Sequence, residues 1–312
     1  MTFSAAALRT SAEAAGLVFP EFVVDQVVAA LDAGKHLMLT GPPGTGKTTL
    51  AYLAAELGRS SMLCTGYLPT TATSEWSTVE TVGGLLPSAD GPVFHAGLFI
   101  EAIESGRWLV IDELNRSNFD RAFGQMFTVM SGEPAVLPFH RTGSTRPLSL
   151  VPHGIDAPEG TDSIRIPASW RIIATINGVD KHLLYDMSYA LMRRFAFIEV
   201  APPDEADYIR LIGGRDTPTG RLLGLRDLKP LGPALYTDAA KYAARRSQDA
   251  VTPSRLRYEL FYSFFLPQFE GMNEDTAQRL TELMDRELDP PERSELRRVI
   301  GDLLHQRSSR GH

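Results

Sequence analysis

Gly41-Pro42-Pro43-Gly44-Thr45-Gly46-Lys47-Thr48 is the stretch on which the reading of this 312-residue chain turns. The apolar run His36-Leu37-Met38-Leu39-Thr40 enters it, and residues 48–57 leave it with the pattern of a helix. The spacing GxxxxGK[ST] between a strand and a helix builds a phosphate-binding loop. Glycines let successive backbone N–H groups turn inward, and the following helix offers its positive amino end. In that pattern Lys47 reaches the β- and γ-phosphates of a nucleotide and Thr48 is a ligand for Mg2+. The candidate nucleotide-binding set is therefore Gly41, Pro42, Pro43, Gly44, Thr45, Gly46, Lys47, Thr48 and the adjacent Thr49.

Upstream of the loop, Val24, Val27, Val28 and Leu31 recur at helical spacing, and Gly34 ends that helix. Downstream, 61–65 reads as a second strand, Trp108-Leu109-Val110-Ile111 as a third, Ile172-Ile173-Ala174-Thr175-Ile176 as a fourth and 195–200 as a fifth. Short apolar strands alternating with helices predict an α/β fold, a central parallel five-stranded sheet covered on both faces, with ligands gathered at the carboxyl ends of the strands. Pro202-Pro203 marks a boundary, after which the chain reads as helical: 237–248, a segment opened by Thr252-Pro253, and two more to about residue 304. The expected organisation is an α/β nucleotide-binding domain over 1–203 and a smaller helical domain over 204–312.

Two insertions interrupt the alternation. Strand-like stretches at 81–86 and 92–95 flank a turn at Asp90-Gly91, predicting a β-hairpin ahead of a helix at 98–104. The other, 131–169, holds strand-like 135–139 and 164–166 around a loop rich in Gly, Pro and Ser, long enough to suggest a function.

Asp112-Glu113 follows a buried-strand pattern, which places both carboxylates at the exposed carboxyl end of that strand. An aspartate there holds Mg2+ through water, and an adjacent glutamate orients or deprotonates the attacking water. Alone, an apolar run ending in Asp-Glu is equally a surface or capping pair; the loop upstream decides for chemistry. Phe119, Phe123, Met126, Phe127 and Met130 form a helical stripe expected in the core. Trp76 reads as a packed loop aromatic, with the lining of a central pore as the other reading, and Cys64 as a small buried strand residue, and His95 and His140 receive no role.

With 43% hydrophobic residues the chain can bury a sizeable core. A net charge of -7 offers no whole-molecule attraction to nucleic acid or to an anionic membrane. The single cysteine cannot form an intramolecular disulfide, and no Cys/His cluster has zinc-ligand spacing. The start lacks the pattern of a signal peptide and no stretch reaches the ~18 apolar residues of a membrane span, so no membrane contact and a cytoplasmic location are expected.

Taken in order, the loop at Gly41, Val110-Ile111-Asp112-Glu113, Ala174-Thr175-Ile176-Asn177 and Ala190-Leu191-Met192-Arg193-Arg194-Phe195 resemble the motifs of the AAA+ ATPases. More narrowly, Ile111-Asp112-Glu113-Leu114-Asn115-Arg116 and the double arginine before Phe195 are similar to the McrB, MoxR and dynein-related branch, whose helix-2 insert and pre-sensor-1 insertion match the two interruptions. The resemblance implies that the helical domain is a lid. It implies that Asn177 is sensor 1, between the γ-phosphate and the lytic water, and that Arg193 and Arg194 are arginine fingers acting on a neighbouring subunit's nucleotide. Arg255, after Thr252-Pro253-Ser254, would be the sensor 2 arginine, with Arg257 as the competing candidate. Arg116 and Arg121 would line a subunit interface or form surface salt bridges. The resemblance further implies a homo-oligomeric ring, a hexamer by preference, hydrolysing ATP or GTP with Mg2+ and remodelling a protein partner encoded nearby, in a McrB-like restriction or MoxR-like chaperone setting. Nucleic acid would be reached only through a partner. A nucleotide-dependent assembly switch and a monomeric nucleotide kinase stay open as other readings.

Overall fold

The computed structural model describes residues 3–89, 91–178 and 192–310. Five strands form its parallel sheet: β1 (His36–Gly41), β2 (Tyr67–Thr71), β5 (Trp108–Asp112), β9 (Ile172–Asn177) and β10 (Phe195–Glu199). They lie side by side in the order β10-β1-β9-β5-β2. The central strands carry unbroken apolar runs because both faces are covered, and Trp108 to Ile111 and Ile172 to Ile176 are all buried. Register aligns the strand ends. His36 stands beside Phe195, Gly41 beside Asn177, and Thr71 beside Asp112.

Helices pack on this sheet through their apolar stripes, with α1 (Ala5–Ala14) lying against α2 (Glu21–Asp32) and α3 (Lys47–Ser60). Helix α1 is capped by Ser4, whose Oγ accepts from the Ala7 N–H at 3.2 Å. Helix α2 buries Val23, Val24, Val27, Val28 and Leu31, and α3 buries Leu50, Ala51, Ala54 and Ala55. At roughly 1.5–3 kcal/mol per buried aliphatic side chain, the five apolar residues of α2 contribute about 10 kcal/mol before entropy is counted. The helix Leu98–Glu104 adds Phe99, Ile100, Ala102 and Ile103 to the same core.

The second strand departs from the sequence expectation. Residues 61–65 form a turn in which Met62 takes φ 57 and is 83% exposed, and the strand begins at Tyr67. The cause is tertiary: Tyr67 to Thr71 pair with Trp108 to Asp112, while the more apolar Met62-Leu63-Cys64 has no neighbouring strand to join. Cys64 is accordingly half-buried in a bend, with burial raising its thiol pKa. β2 is an edge strand. Gly66 accepts from Trp108 N–H and Ala72 donates to Asp112 O, so the even-numbered residues face β5 and Pro69 faces the open side.

The first insertion is a hairpin of β3 (Gly83–Leu86) and β4 (Val93–Ala96), with Gly84 opposite His95. Asp90, expected in its turn, lies outside the described residues. The second insertion folds as a three-stranded sheet of β6 (Ala135–His140), β7 (Pro147–Val151) and β8 (Asp162–Arg165), with β7 antiparallel to β6 and parallel to β8. The stretch read as loop thus contains a strand, whose Leu148 and Leu150 are buried in the first core. Phe123, Met126 and Met130 are buried, as is Trp76; His95 and His140 are exposed.

By contact the chain divides into two units, Met1–Gly41 with Lys47–Val200, and Pro42–Gly46 with Ala201–His312. The second unit is helical and has its own core, in which Tyr208, Tyr236, Phe261 and Phe265 are fully buried. Pro233 opens its helix Pro233–Arg246, and Thr252 caps the helix Pro253–Leu260 through an acceptor bond from Arg255 N–H at 3.1 Å. Among the described residues no helix is long and apolar enough to cross a membrane.

Candidate functional site

Gly41 ends β1 with φ +143, and a Cβ there would lie 2.4 Å from the Val200 carbonyl oxygen. Only glycine fits, since Val200 is held in place by its N–H donating to Thr40 O at 2.7 Å. Gly44 and Gly46 also take positive φ, +75 and +88, which turns the loop back on itself before α3. Thr45 is buried, its Oγ1 donating to Pro42 O at 3.1 Å, and within the second unit the Gly44 carbonyl accepts from Ala234 N–H at 3.2 Å. Lys47 is buried in the first turn of α3 and donates to Gly41 O at 2.9 Å. Burial pulls its pKa down to about 8, against the opposing pull of Asp112 and Glu113.

The carboxylates meet the loop at the same strand ends. Asp112 Oδ1 accepts from Thr48 Oγ1 at 2.8 Å and also from the buried Thr175 Oγ1. Thr175 Oγ1 in turn accepts the Glu113 N–H at 3.0 Å. Glu113 Oε1 accepts from Asn177 Nδ2 at 2.7 Å, while Oε2 pairs with Arg116 Nε at 2.5 Å. Glu113 itself is left-handed, φ 51 and ψ 46, a conformation costing roughly 1–2 kcal/mol for a residue with a Cβ. The kink turns the chain from β5 into the 3-10 helix Leu114–Arg116 and brings the carboxylate beside Asn177. Thr48 and Asp112 present converging hard oxygens, the donor type Mg2+ takes, and the buried ammonium of Lys47 suits a phosphate oxygen. Among the described residues there is no cluster of three or more His, Cys, Asp or Glu to hold a metal ion in a cage of protein ligands.

The family profile described as AAA domain (dynein-related subfamily) matches residues 36–195, from the first residue of β1 to the first of β10. This chain belongs to that family. The five-stranded parallel sheet with its helices is the AAA+ fold, and nucleotide binding comes with it. Among curated relatives, the type IV methyl-directed restriction enzyme EcoKMcrB subunit of Escherichia coli (strain K12) is 26% identical over 193 residues, 60% of this chain and 39% of that protein. An uncharacterized protein of Staphylococcus aureus (strain USA300) is 29% identical over 184 residues, 57% of this chain and 60% of that one. The chain therefore spans less than two thirds of the length of either relative. The crystal structure of NtrX from Brucella abortus in complex with ADP aligns with a TM-score of 0.42 at 15% identity, over 92% of this chain and 68% of that one.

Within the AAA domain, Lys47, Thr48, Asp112, Glu113 and Asn177 come together at the carboxyl ends of β1, β5 and β9, and Thr49 follows half-buried on α3. Arg193 and Arg194 do not join them. They precede Phe195, which pairs with His36, so they stand at the amino end of the sheet. Both are exposed; the Arg193 carbonyl accepts from Lys35 Nζ at 2.7 Å, and Arg194 Nη2 donates to Ser131 O at 2.9 Å. Ala190 and Leu191, which precede them in the motif, lie outside the described residues. Arg255, in the second unit, pairs with Glu295 at 2.7 Å and with Glu259 at 3.6 Å, and Arg257 donates to Glu287 O at 2.6 Å. Arg116 is spoken for by Glu113, and Arg121 is exposed.

Thr175 is the residue that sequence reasoning left without a role. Its hydroxyl ties Asp112 to the backbone of Glu113, so it fixes both carboxylates at once. The signal was present in the alternation of β9: Thr175 and Asn177 are two residues apart and share a face of the strand. A polar residue in the middle of an otherwise apolar buried run is there to be hydrogen-bonded.

Proposed function

We propose that this AAA domain hydrolyses a nucleoside triphosphate, ATP or GTP, with Mg2+ at a site completed by a second copy of the chain. The observation that carries the reading is the pairing of Glu113 Oε1 with Asn177 Nδ2 at 2.7 Å, next to Asp112 and Thr48 at 2.8 Å and the buried Lys47. Lys47 and the loop N–H groups hold the phosphates. Thr48, and Asp112 through water, would hold Mg2+, which when bound would supply positive charge against the phosphates. Glu113 takes the proton of the attacking water as its oxygen bonds to the γ-phosphorus, and the bond from that phosphorus to the β–γ bridging oxygen breaks. Asn177 orients Glu113 and that water.

Arg193 and Arg194 supply the remaining charge from a neighbouring copy. They begin β10 beside His36 whereas the loop follows Gly41, and five residues of strand at ~3.3 Å each put roughly 17 Å between the two ends. An arginine side chain does not bridge that span, so a role for either residue at a phosphate needs a second molecule. A head-to-tail contact of this kind closes into a ring, and a hexamer is the expected size. Arg255 would meet the γ-phosphate only after leaving Glu295. Cycles of hydrolysis then do work on a protein partner, in a McrB-like or MoxR-like system, with any nucleic acid held by that partner.

The test mixes two inactive variants. Lys47→Ala should weaken nucleotide binding at least ~100-fold by calorimetry, as expected when a buried charge-assisted contact is lost. Arg193→Ala or Arg194→Ala should keep binding and lose turnover. Mixing either arginine variant with Lys47→Ala protein should restore part of the phosphate release. Absence of restoration at every mixing ratio would refute the shared site, and unchanged binding by Lys47→Ala would refute the loop assignment.

A further inference from the structure

At the amino end of the sheet, on the opposite side from the phosphate loop, the first unit holds a cavity of about 380 Å3 between the start of β1, the start of β9, the start of β10 and the end of the second insertion. Lys35, Arg171, Arg194 and His153 line it, and none of the described lining residues is acidic. Its other walls are apolar, among them Met130 and Ile166.

The charges of this cavity are unusual in a chain of net charge -7. Lys35, Arg171 and Arg194 make no ion pair with any described carboxylate. Each is held by backbone carbonyls instead: Lys35 by Arg193 O, Arg171 by Ala168 O at 2.7 Å and Trp170 O at 2.8 Å, and Arg194 by Ser131 O. Carbonyls orient a cation but do not neutralise it. The Nε of Arg171 is buried without an acceptor, so the contacts that hold this guanidinium are the two carbonyls alone. The adjacent His36 registers the field. Its pKa is lowered to about 3 by burial first and then by Arg171, Arg194 and Lys35, and its Nδ1 accepts from Ile172 N–H at 2.9 Å as a neutral ring.

We propose that this cavity is a second ligand site, separate from the phosphate loop, that takes a phosphate monoester on a small organic skeleton. Three cations without a carboxylate call for more than one negative charge, and a phosphate monoester carries about -1.5 to -2 with three acceptor oxygens. Two guanidinium forks and an ammonium match those oxygens. A volume of about 380 Å3 is within the range of roughly 300–1,000 Å3 used for small organic ligands and exceeds the need of a bare ion. The skeleton lies on the Met130 and Ile166 wall while the phosphate meets the cations.

The ligand chemistry has two sources, a free small molecule or the nucleotide carried by a second copy of the chain, and the proposal commits to the free molecule. The experiment uses the full chain with Lys47→Ala, which disables the loop, and titrates AMP at fixed ionic strength. Trp170 lines the cavity and reports by fluorescence, with calorimetry as the independent readout. Saturable binding of AMP is expected, with Kd raised at least ~10-fold by Arg171→Gln and by Lys35→Glu, the loss typical of a charge-assisted contact. Lys35→Glu keeps the test open where Arg171→Gln fails to fold, because Lys35 is partly exposed. No saturable binding up to millimolar AMP, or a Kd unmoved by both substitutions, overturns the proposal. So does a fluorescence change that appears only on adding nucleotide-loaded wild-type protein, which would assign the cavity to the contact between copies. AMP binding that appears only when Lys47 is restored, and is insensitive to Lys35→Glu, would place AMP on the loop and also overturns it.

Discussion

The two ends of one parallel sheet are built on opposite electrostatic plans. At the carboxyl end, a buried lysine, two carboxylates, two threonine hydroxyls and an asparagine interlock, donor to acceptor, around the ends of strands β1, β5 and β9. At the amino end, Lys35, Arg171 and Arg194 gather around a neutral His36 with only backbone carbonyls to hold them. The same strands therefore separate a preorganised acid-base cluster from a field of uncompensated positive charge. The first sets groups of both signs around the proposed nucleotide, whereas the second presents positive charge alone.

Glu113→Gln should break the carboxyl-end cluster with the largest effect. It removes the proposed base yet leaves an amide to meet Asn177, so turnover should drop ~10²–10⁴-fold in a phosphate-release assay while nucleotide affinity stays within a few fold. A variant that keeps its turnover would mean that the cluster is structural. Thr175→Val tests how far the interlock depends on one hydroxyl. The isosteric change leaves the Glu113 N–H and an Asp112 oxygen without that partner and should cost about 1–3 kcal/mol in urea unfolding, with turnover falling in parallel. No comparable loss is expected from neutralising a cation at the other end.

The amino end should show itself in acid. His36 has a folded pKa of about 3, below its ordinary 6.5, so the unfolded chain binds more protons between those values. Stability is then lost as pH falls from 6.5 toward 3, by up to ~1.4 kcal/mol per pH unit from this residue. His36→Gln, which retains an acceptor for Ile172 N–H, should flatten that slope relative to wild type in thermal melts. An unchanged slope would show that neither burial nor the cations hold the His36 pKa down. The smallest effect belongs to Lys47. Its pKa of about 8 should rise when phosphate binds, so calorimetry at pH 8.5 in buffers of different ionisation heat should show uptake of a fraction of a proton, and affinity should decline above pH 8. Proton release would reverse the assignment.

Much of this contrast was legible in the sequence at one end and little at the other. The loop, Asp112-Glu113 and Asn177 announce themselves because glycine spacing and a polar residue after an apolar run are local signals. Thr175 carried a weaker signal, since a threonine inside a strand is ordinary until the fold sets it beside Asp112. Lys35, Arg171 and Arg194 are far apart in sequence, and only the pairing of β1 with β9 and β10 gathers them. The second strand was misplaced because Met62-Leu63-Cys64 is more apolar than Tyr67-Leu68-Pro69-Thr70-Thr71. An edge strand needs only one partner and carries polar residues that a buried strand excludes. The strand Pro147–Val151 went unseen for a related reason: its pairing partners, not its own composition, make it a strand.

Pro69 gives that edge a further meaning. It points away from β5 and has no N–H, so the outer rim of the sheet lacks a donor midway between Tyr67 and Thr71. A foreign strand laid along this rim would meet a gap in its ladder after one residue. This edge is thereby guarded against extension by a further strand, so that molecules crowded together are steered away from pairing through β2 without any charge on the rim.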